Sequence, residues 1–193
     1  MFVVSQVGTS DEASTVADAG VDAVILQGVE AGGHVKAVTP LREILRQTVS
    51  ALGSTPVIAA GGLATGTDIA QTLKDGARAV SLGTRFVAST EAGAFPDYKD
   101  RIIKARATDT VLTKLFDVGW SEAPHRVIRT AAIDRWEESG RPQSGQRPGE
   151  GERIGTAWLG EESLPLLRYS VMPPLEHFDG DLESLPLYAG KSV

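Results

Sequence analysis

The sequence predicts an α/β protein of parallel (β/α)8-barrel (TIM-barrel) type, holding about four βα units, the second half of such a barrel, followed by a helical and irregular segment. Three observations carry this expectation. Short apolar, β-branched runs alternate with helical patterns over the first 90 residues, as parallel βαβ units do. The strand runs lack a clean alternation of apolar and polar residues, which suits a parallel sheet covered on both faces. Glycine-bearing loops follow three of the strands, and none is the Gly-x-Gly-x-x-Gly turn of an open dinucleotide-binding sheet.

The elements follow in order. Phe2 to Val7 reads as a strand, and Thr9 with Glu12 forms a capping-box pattern for a helix that Gly20 stops near Ala19. Ala23 to Gln27 is a second buried strand. Pro40 sits behind Thr39 at a helix start, and Leu41, Ile44, Leu45, Val49 and Leu52 share one helical face up to Gly53. Val57 to Ala60 is a third strand, then Gly61-Gly62-Leu63-Ala64-Thr65-Gly66, a helix from about Asp68 to Asp75, and a fourth strand, Ala79 to Leu82. Residues 1–90 are therefore read as the half-barrel and 91–193 as a helical and irregular segment packed on it. In that second part, Asp97 to Ala107 and Ala131 to Glu138 read as helices. Gly140 to Gly151 reads as a mobile loop, and Pro165 to Pro174 and the tail offer little regular structure.

Composition narrows the function classes. With 41% hydrophobic and 23% charged residues, the chain of 193 residues has the balance of a globular domain with a sizeable core. A net charge of −6 argues against nucleic-acid binding, which calls for a basic face. No apolar run approaches the ~18 residues of a membrane span, so a cytoplasmic protein without a membrane partner is expected. Zero cysteines removes disulfides, thiol nucleophiles and thiolate ligands, and three scattered histidines do not suggest a metal site. Redox chemistry would then require a bound organic cofactor.

The loops carry the candidate site. In a parallel barrel the loops after the strands gather at one rim, where active sites lie. Gly61-Gly62 and Gly83-Thr84 expose backbone N–H donors, with a hydroxyl and a short helix start near Phe86 to Ser89, as a phosphate dianion requires. One such loop alone reads as a tight turn, whereas two in succession favour phosphate. In Glu30-Ala31-Gly32-Gly33-His34, the two glycines admit a flat ligand, and His34 is a side chain able to exchange a proton near neutrality. Gln27 at a strand end offers a donor and an acceptor to a ring system, or is simply a polar strand terminus. His125 and Arg126 read as a structural turn or rim contact, and His177 as exposed. Trp120, Trp136 and Trp158 read as packing residues, and Arg85 as a phosphate or salt-bridge partner.

Taken together and in order, several runs resemble the nitronate monooxygenases. They are Gln27 to His34, Pro56 to Gly62, Leu82 to Ser89, Asp109-Thr110-Val111, Pro124 to Val127 and Leu187 to Val193. The resemblance implies an FMN-binding eight-unit barrel. Gly61, Gly62, Gly83 and Thr84 would hold the FMN phosphate, Gln27 would touch the flavin beside Gly32 and Gly33, and His34 would be the catalytic base or the partner of the substrate anion. The implied reaction oxidises an alkyl nitronate with FMN, O2 reoxidises the flavin, and a carbonyl compound and nitrite leave. Two positions depart from the family pattern: Lys36 stands for a usual glycine, and Phe95 for a frequent histidine. The first four barrel strands of the family have no counterpart here, so a fragment, a homo-oligomer or a complementary half-barrel chain is expected. The alternatives are an FMN-dependent enoyl-acyl-carrier-protein reductase using NAD(P)H, which shares the Glu-Ala-Gly-Gly-His loop, and a non-catalytic flavin- or phosphate-binding module.

Overall fold

A computed structural model describes residues 1–193. Its first part contains β1 (Val4–Val7), α1 (Ser10–Asp18), β2 (Ala23–Gln27), β3 (Gly33–His34), α2 (Leu41–Leu52), β4 (Val57–Ala60), α3 (Gly66–Lys74), β5 (Ala79–Ser81) and α4 (Thr84–Val87). Strands β1, β2, β4 and β5 pair side by side in that order, all parallel. The register places Val7, Leu26, Ala59 and Val80 in one row on the helix-covered face, where Leu41, Leu45 and Leu52 of α2 pack on them. The opposite face carries Gln6, Ile25, Ile58 and Ala79 in a row, then Gln27, Ala60 and Ser81 at the strand ends. Strands β1 and β5 each have a neighbour on one side only.

Local chemistry sets the helix ends. Thr9 accepts from the Glu12 N–H at 3.2 Å, as its capping pattern predicts, but the Glu12 carboxylate returns to the Gly8 N–H at 2.9 Å instead of Thr9. The same carboxylate also meets Lys36 at 2.8 Å, so the box opens by one residue to satisfy both donors. Helix α3 starts two residues before its expected Asp68, because Thr65 and Asp68 cap each other reciprocally.

The second part holds α5 (Pro96–Lys104), a 3-10 turn at Ala107–Asp109, β6 (Thr110–Thr113), β7 (His125–Ile128), α6 (Ala131–Glu138), β8 (Arg153–Leu159), β9 (Glu162–Leu167), β10 (Phe178–Gly180), a second 3-10 turn at Leu182–Ser184 and β11 (Leu187–Tyr188). This is more β structure than the helical and irregular segment expected from sequence. Strands β8 and β9 form a hairpin across Gly160-Glu161, with β10 on the other side of β8. Pro165 hid that hairpin from the sequence; it is tolerated because β9 is an edge strand, where a missing N–H breaks no second ladder. His125 and Arg126 are not a turn either: they open β7, whose ladder takes β6, β3 and β11 as antiparallel partners. Because β3 is the Gly33-His34 dipeptide itself, the histidine loop is stitched into the second part of the chain.

The stretch Gly140 to Gly151, expected to be mobile, is pinned by a buried arginine. The Arg147 side chain is 2% exposed. It pairs with Asp117 at 2.7 Å, donates to the Leu115 carbonyl at 2.6 Å, contacts Glu150, and lies 4.6 Å from the centre of the Tyr169 ring. Arginine beside Glu150 holds that carboxyl down to about 2.

Candidate active site

The carboxyl ends of all four parallel strands open on one cavity of about 320 Å³. All eight residues singled out in the sequence line it: Gln27, Gly32, Gly33, His34, Gly61, Gly62, Gly83 and Thr84. Gly62 and Gly83 therefore share one cavity, as a common phosphate would require.

The two glycine loops differ in what they demand. Gly61 and Gly62 have φ of +107° and +70°, and a Cβ on Gly62 would come 2.7 Å from the Glu30 side chain, so this turn is written for glycine by its backbone. A Cβ on Gly83 would meet nothing within 4 Å, and its φ is −107°. At Gly83 the missing side chain leaves cavity space, and that space is what an incoming anion would fill. Helix α4 begins at the next residue, two residues earlier than the sequence suggested, and its leading N–H groups lack intrahelical acceptors. The Thr84 hydroxyl is nearly buried and accepts from the Gly190 N–H at 2.9 Å, which leaves its own hydrogen to donate.

The histidine loop is held from three sides. Gln27 is buried at its base, donating from Nε2 to the His34 carbonyl and accepting the Lys36 N–H, each at 2.9 Å. Glu30 accepts the Leu41 N–H at the start of α2 at 3.1 Å. Arg126, buried on β7, donates from Nη2 to the Val29 carbonyl at 2.9 Å. Gly32 is required by packing, since a side chain there would overlap the backbone of Ala189 and Gly190.

His34 sits in a cluster of rings. Its imidazole stacks on Trp120 with centroids 4.1 Å apart and planes 28° apart, and meets His125 at 5.6 Å and Tyr188 at 5.8 Å. Its Nε2 is buried without a hydrogen-bond partner, the kind of orphaned polar atom that a ligand in the cavity would satisfy. Burial pushes the His34 pKa below the ordinary imidazole value, so the ring is neutral near pH 7 and able to accept a proton. Burial also lowers that of His125, whose Nδ1 lies 2.9 Å from the Ala123 carbonyl while Nε2 accepts the Phe116 N–H at 3.3 Å. Those two partners fit the neutral Nδ1–H tautomer. Burial raises the Tyr188 hydroxyl pKa, and this hydroxyl donates to the Val171 carbonyl at 2.7 Å.

These two histidines give a stability prediction. Unfolded, each binds its proton at about pH 6.5, whereas the folded chain resists until lower pH. Below that point the unfolded state holds more protons, so stability falls as pH drops. Thermal denaturation is expected to show Tm falling from about pH 7 to about 5.5, the imidazole window; a level Tm would contradict the burial of both rings.

Several sequence candidates lie elsewhere. Lys36 turns away to Glu12, 62% exposed and outside the cavity, and Phe95 packs edge-on to Phe178. Arg85 is exposed outside the cavity, and His177 is exposed as expected. The polar residues Gln6, Ser81, Tyr188 and Ser192, with Gly190, also line the cavity and were not among the sequence candidates. Gln6 had a usable signal, a polar residue one place before the end of its strand and on the same sheet face as Gln27.

The architecture is that of an α/β enzyme with its site at the carboxyl ends of parallel strands. The chain belongs to the nitronate monooxygenase family, whose model matches residues 1–153. That family consists of flavin-dependent oxidoreductases. The nitronate monooxygenase of Pseudomonas aeruginosa is 42% identical over 112 residues, covering 54% of this chain and 32% of that protein. FabK from Thermotoga maritima superposes with a TM-score of 0.75 at 33% identity, over 100% of this chain and 54% of its own. A nitroalkane oxidase from Streptomyces ansochromogenes superposes with a TM-score of 0.69 at 28% identity, over 100% and 52% respectively. The chain thus spans about a third of that curated relative's length and about half of those structures. No helix is long and apolar enough to cross a membrane.

Proposed function

We propose that residues 1–90 carry the FMN phosphate site and catalytic histidine of an enzyme that oxidises alkyl nitronates with O2, and that residues 91–193 pack across the rim and fix the histidine loop. The observation that carries this reading is the shared cavity, with glycine backbone at two successive strand ends and an unpartnered imidazole nitrogen beside it. FMN, when bound, supplies the two-electron oxidation. The protein's own residues do the rest. Gly61, Gly62, Gly83 and Thr84 offer amide and hydroxyl hydrogens to the phosphate, while Gln27, Gly32 and Gly33 border the flat ring. His34 either removes the proton beside a neutral nitro group or, protonated, pairs with nitronate oxygens.

Further βα units, in the same polypeptide or another chain, are proposed to cover the free edges of β1 and β5 and the half-buried Ile25 and Ile58. Sedimentation of the 193-residue chain is expected to show self-association through those edges; a monodisperse monomer would count against it.

A second reading is the enoyl-acyl-carrier-protein reductase that shares the Glu-Ala-Gly-Gly-His loop, which would reduce an enoyl thioester with NAD(P)H. Anaerobic mixing decides between them. Propyl nitronate is expected to bleach the flavin where NADPH alone does not, and the reverse outcome would transfer the protein to the reductase reading. Protein that stays colourless after soaking in FMN would leave only a non-catalytic module.

Gly83→Val tests the phosphate assignment most cleanly. A Cβ at this position meets no protein atom within 4 Å, so the fold should hold while the anion's space is filled. Losing one hydrogen bond to a charged group costs about 1.5–3 kcal/mol, so FMN affinity should fall at least ~10-fold. Unchanged affinity would remove the Gly83 loop from the phosphate site. Gly61→Val should also empty the site, but with backbone strain added at its φ of +107°.

A further inference from the structure

Trp120 has no part in the reaction proposed above, yet it is the ring closest to His34. It lies in the turn between β6 and β7 and is 58% exposed, with one face on the imidazole. The turn that presents it is fixed on both flanks. Val118 donates its N–H to the Tyr169 carbonyl and accepts the Val171 N–H, each at 3.0 Å. Trp120 donates its own N–H to the Asp117 carbonyl at 3.0 Å, and the Asp117 carboxylate is the buried partner of Arg147. On the far side, Glu122 pairs with Lys114 at 2.9 Å. Such anchoring gives the indole a defined place over the imidazole.

We propose that Trp120 is a positioning residue for His34: its indole fixes the plane of the imidazole and keeps water from Nε2 on that side. The other groups around the ring leave this task to it. His125 is neutral in its fixed tautomer, and the Tyr188 hydroxyl is spent on Val171. Arg126, opposite Gly33 in the ladder, is spent on Val29 and Thr110. The carboxylates of the turn, Asp117 and Glu122, are spent on Arg147 and Lys114. Burial lowers the proton affinity of His34, and the indole is the ring stacked most closely on it.

The proposal rests on the catalytic reading of His34 only for its effect on turnover, so its test needs no substrate. The chain has three histidines, which makes their Cε1 proton signals separable by NMR and assignable with single His→Gln variants. In Trp120→Leu the His34 signal is expected to lose its ring-current shift and to titrate at higher pH. Trp120→Phe should restore much of both effects, and the exposed His177 should stay put. An identical His34 titration in wild type and Trp120→Leu would overturn the proposal. Wild-type fluorescence offers a second measurement independent of any packing variant. An imidazolium stacked on indole quenches it, so emission should fall as His34 protonates, and His34→Gln should abolish that step. Emission indifferent to His34→Gln overturns the stack. In the full enzyme, Trp120→Leu should lower kcat/KM near neutrality about two- to tenfold, the fold-change equivalent to one aromatic pair. Should His34→Ala leave turnover intact, the catalytic reading fails while the NMR result stands.

Discussion

A His34→Ala protein is expected to keep its flavin and to lose nitronate or nitroalkane turnover by about a hundredfold or more, the usual scale for removing a general base. Flavin retention follows from geometry, because the loops at Gly61-Gly62 and Gly83-Thr84 lie against Gly28, Glu30, Ala31 and Gly190, whereas the His34 ring packs on Trp120, His125 and Tyr188. The loop itself should also survive, since Gln27 holds it through the main chain of residues 34 and 36. The pH dependence separates the two roles open to the imidazole. If it removes a proton from a neutral nitroalkane, activity rises with pH through the His34 midpoint, which burial places below the ordinary imidazole value. If its protonated form pairs with the nitronate, activity on preformed nitronate falls through the same midpoint. Absorbance of the bound flavin and steady-state rates on both substrates check this, and turnover unchanged in His34→Ala would strip the residue of its role.

How this site was legible in one sequence, and where legibility stopped, has a physical basis. Strands β2 and β4 were readable to the residue because buried parallel strands are short apolar runs bounded by punctuating glycines, Gly28 after β2 and Gly61 after β4. Helix α3 was misplaced because its start depends on a reciprocal Thr65–Asp68 cap rather than on apolar periodicity. The ring cluster around His34 was out of reach for another reason. Trp120, His125 and Tyr188 come from points up to 154 residues away in sequence and meet it only because β7 pairs with β3 and β11. A two-residue strand such as Gly33-His34 leaves no pattern for periodicity to detect. The hairpin of β8 and β9 failed for a related reason, since Pro165 and Gly155 mimic loop composition inside an antiparallel sheet.

The loop from Gly140 to Gly151 is where composition misled most, and Arg147→Met shows why. Its residues read as a mobile loop, yet Arg147 is among the least exposed charged side chains in the chain and joins Asp117, Glu150, the Leu115 carbonyl and the Tyr169 ring. Removing one member of a buried ion pair leaves the other charge without compensation, at a cost of about 3–5 kcal/mol. Methionine preserves much of the bulk beside Tyr169, so the loss measured by urea denaturation would come from the partners left behind, the buried Asp117 foremost, with the Leu115 carbonyl and Glu150. The double change Arg147→Met with Asp117→Leu should recover much of it, because an apolar pair of similar volume often replaces a buried ion pair without loss. If instead Arg147→Met costs less than about 1 kcal/mol, the range of an exposed ion pair, the segment moves as its composition suggests. Because Asp117 also anchors the turn that carries Trp120, the variant should disturb the His34 ring from a distance, in step with its loss of stability.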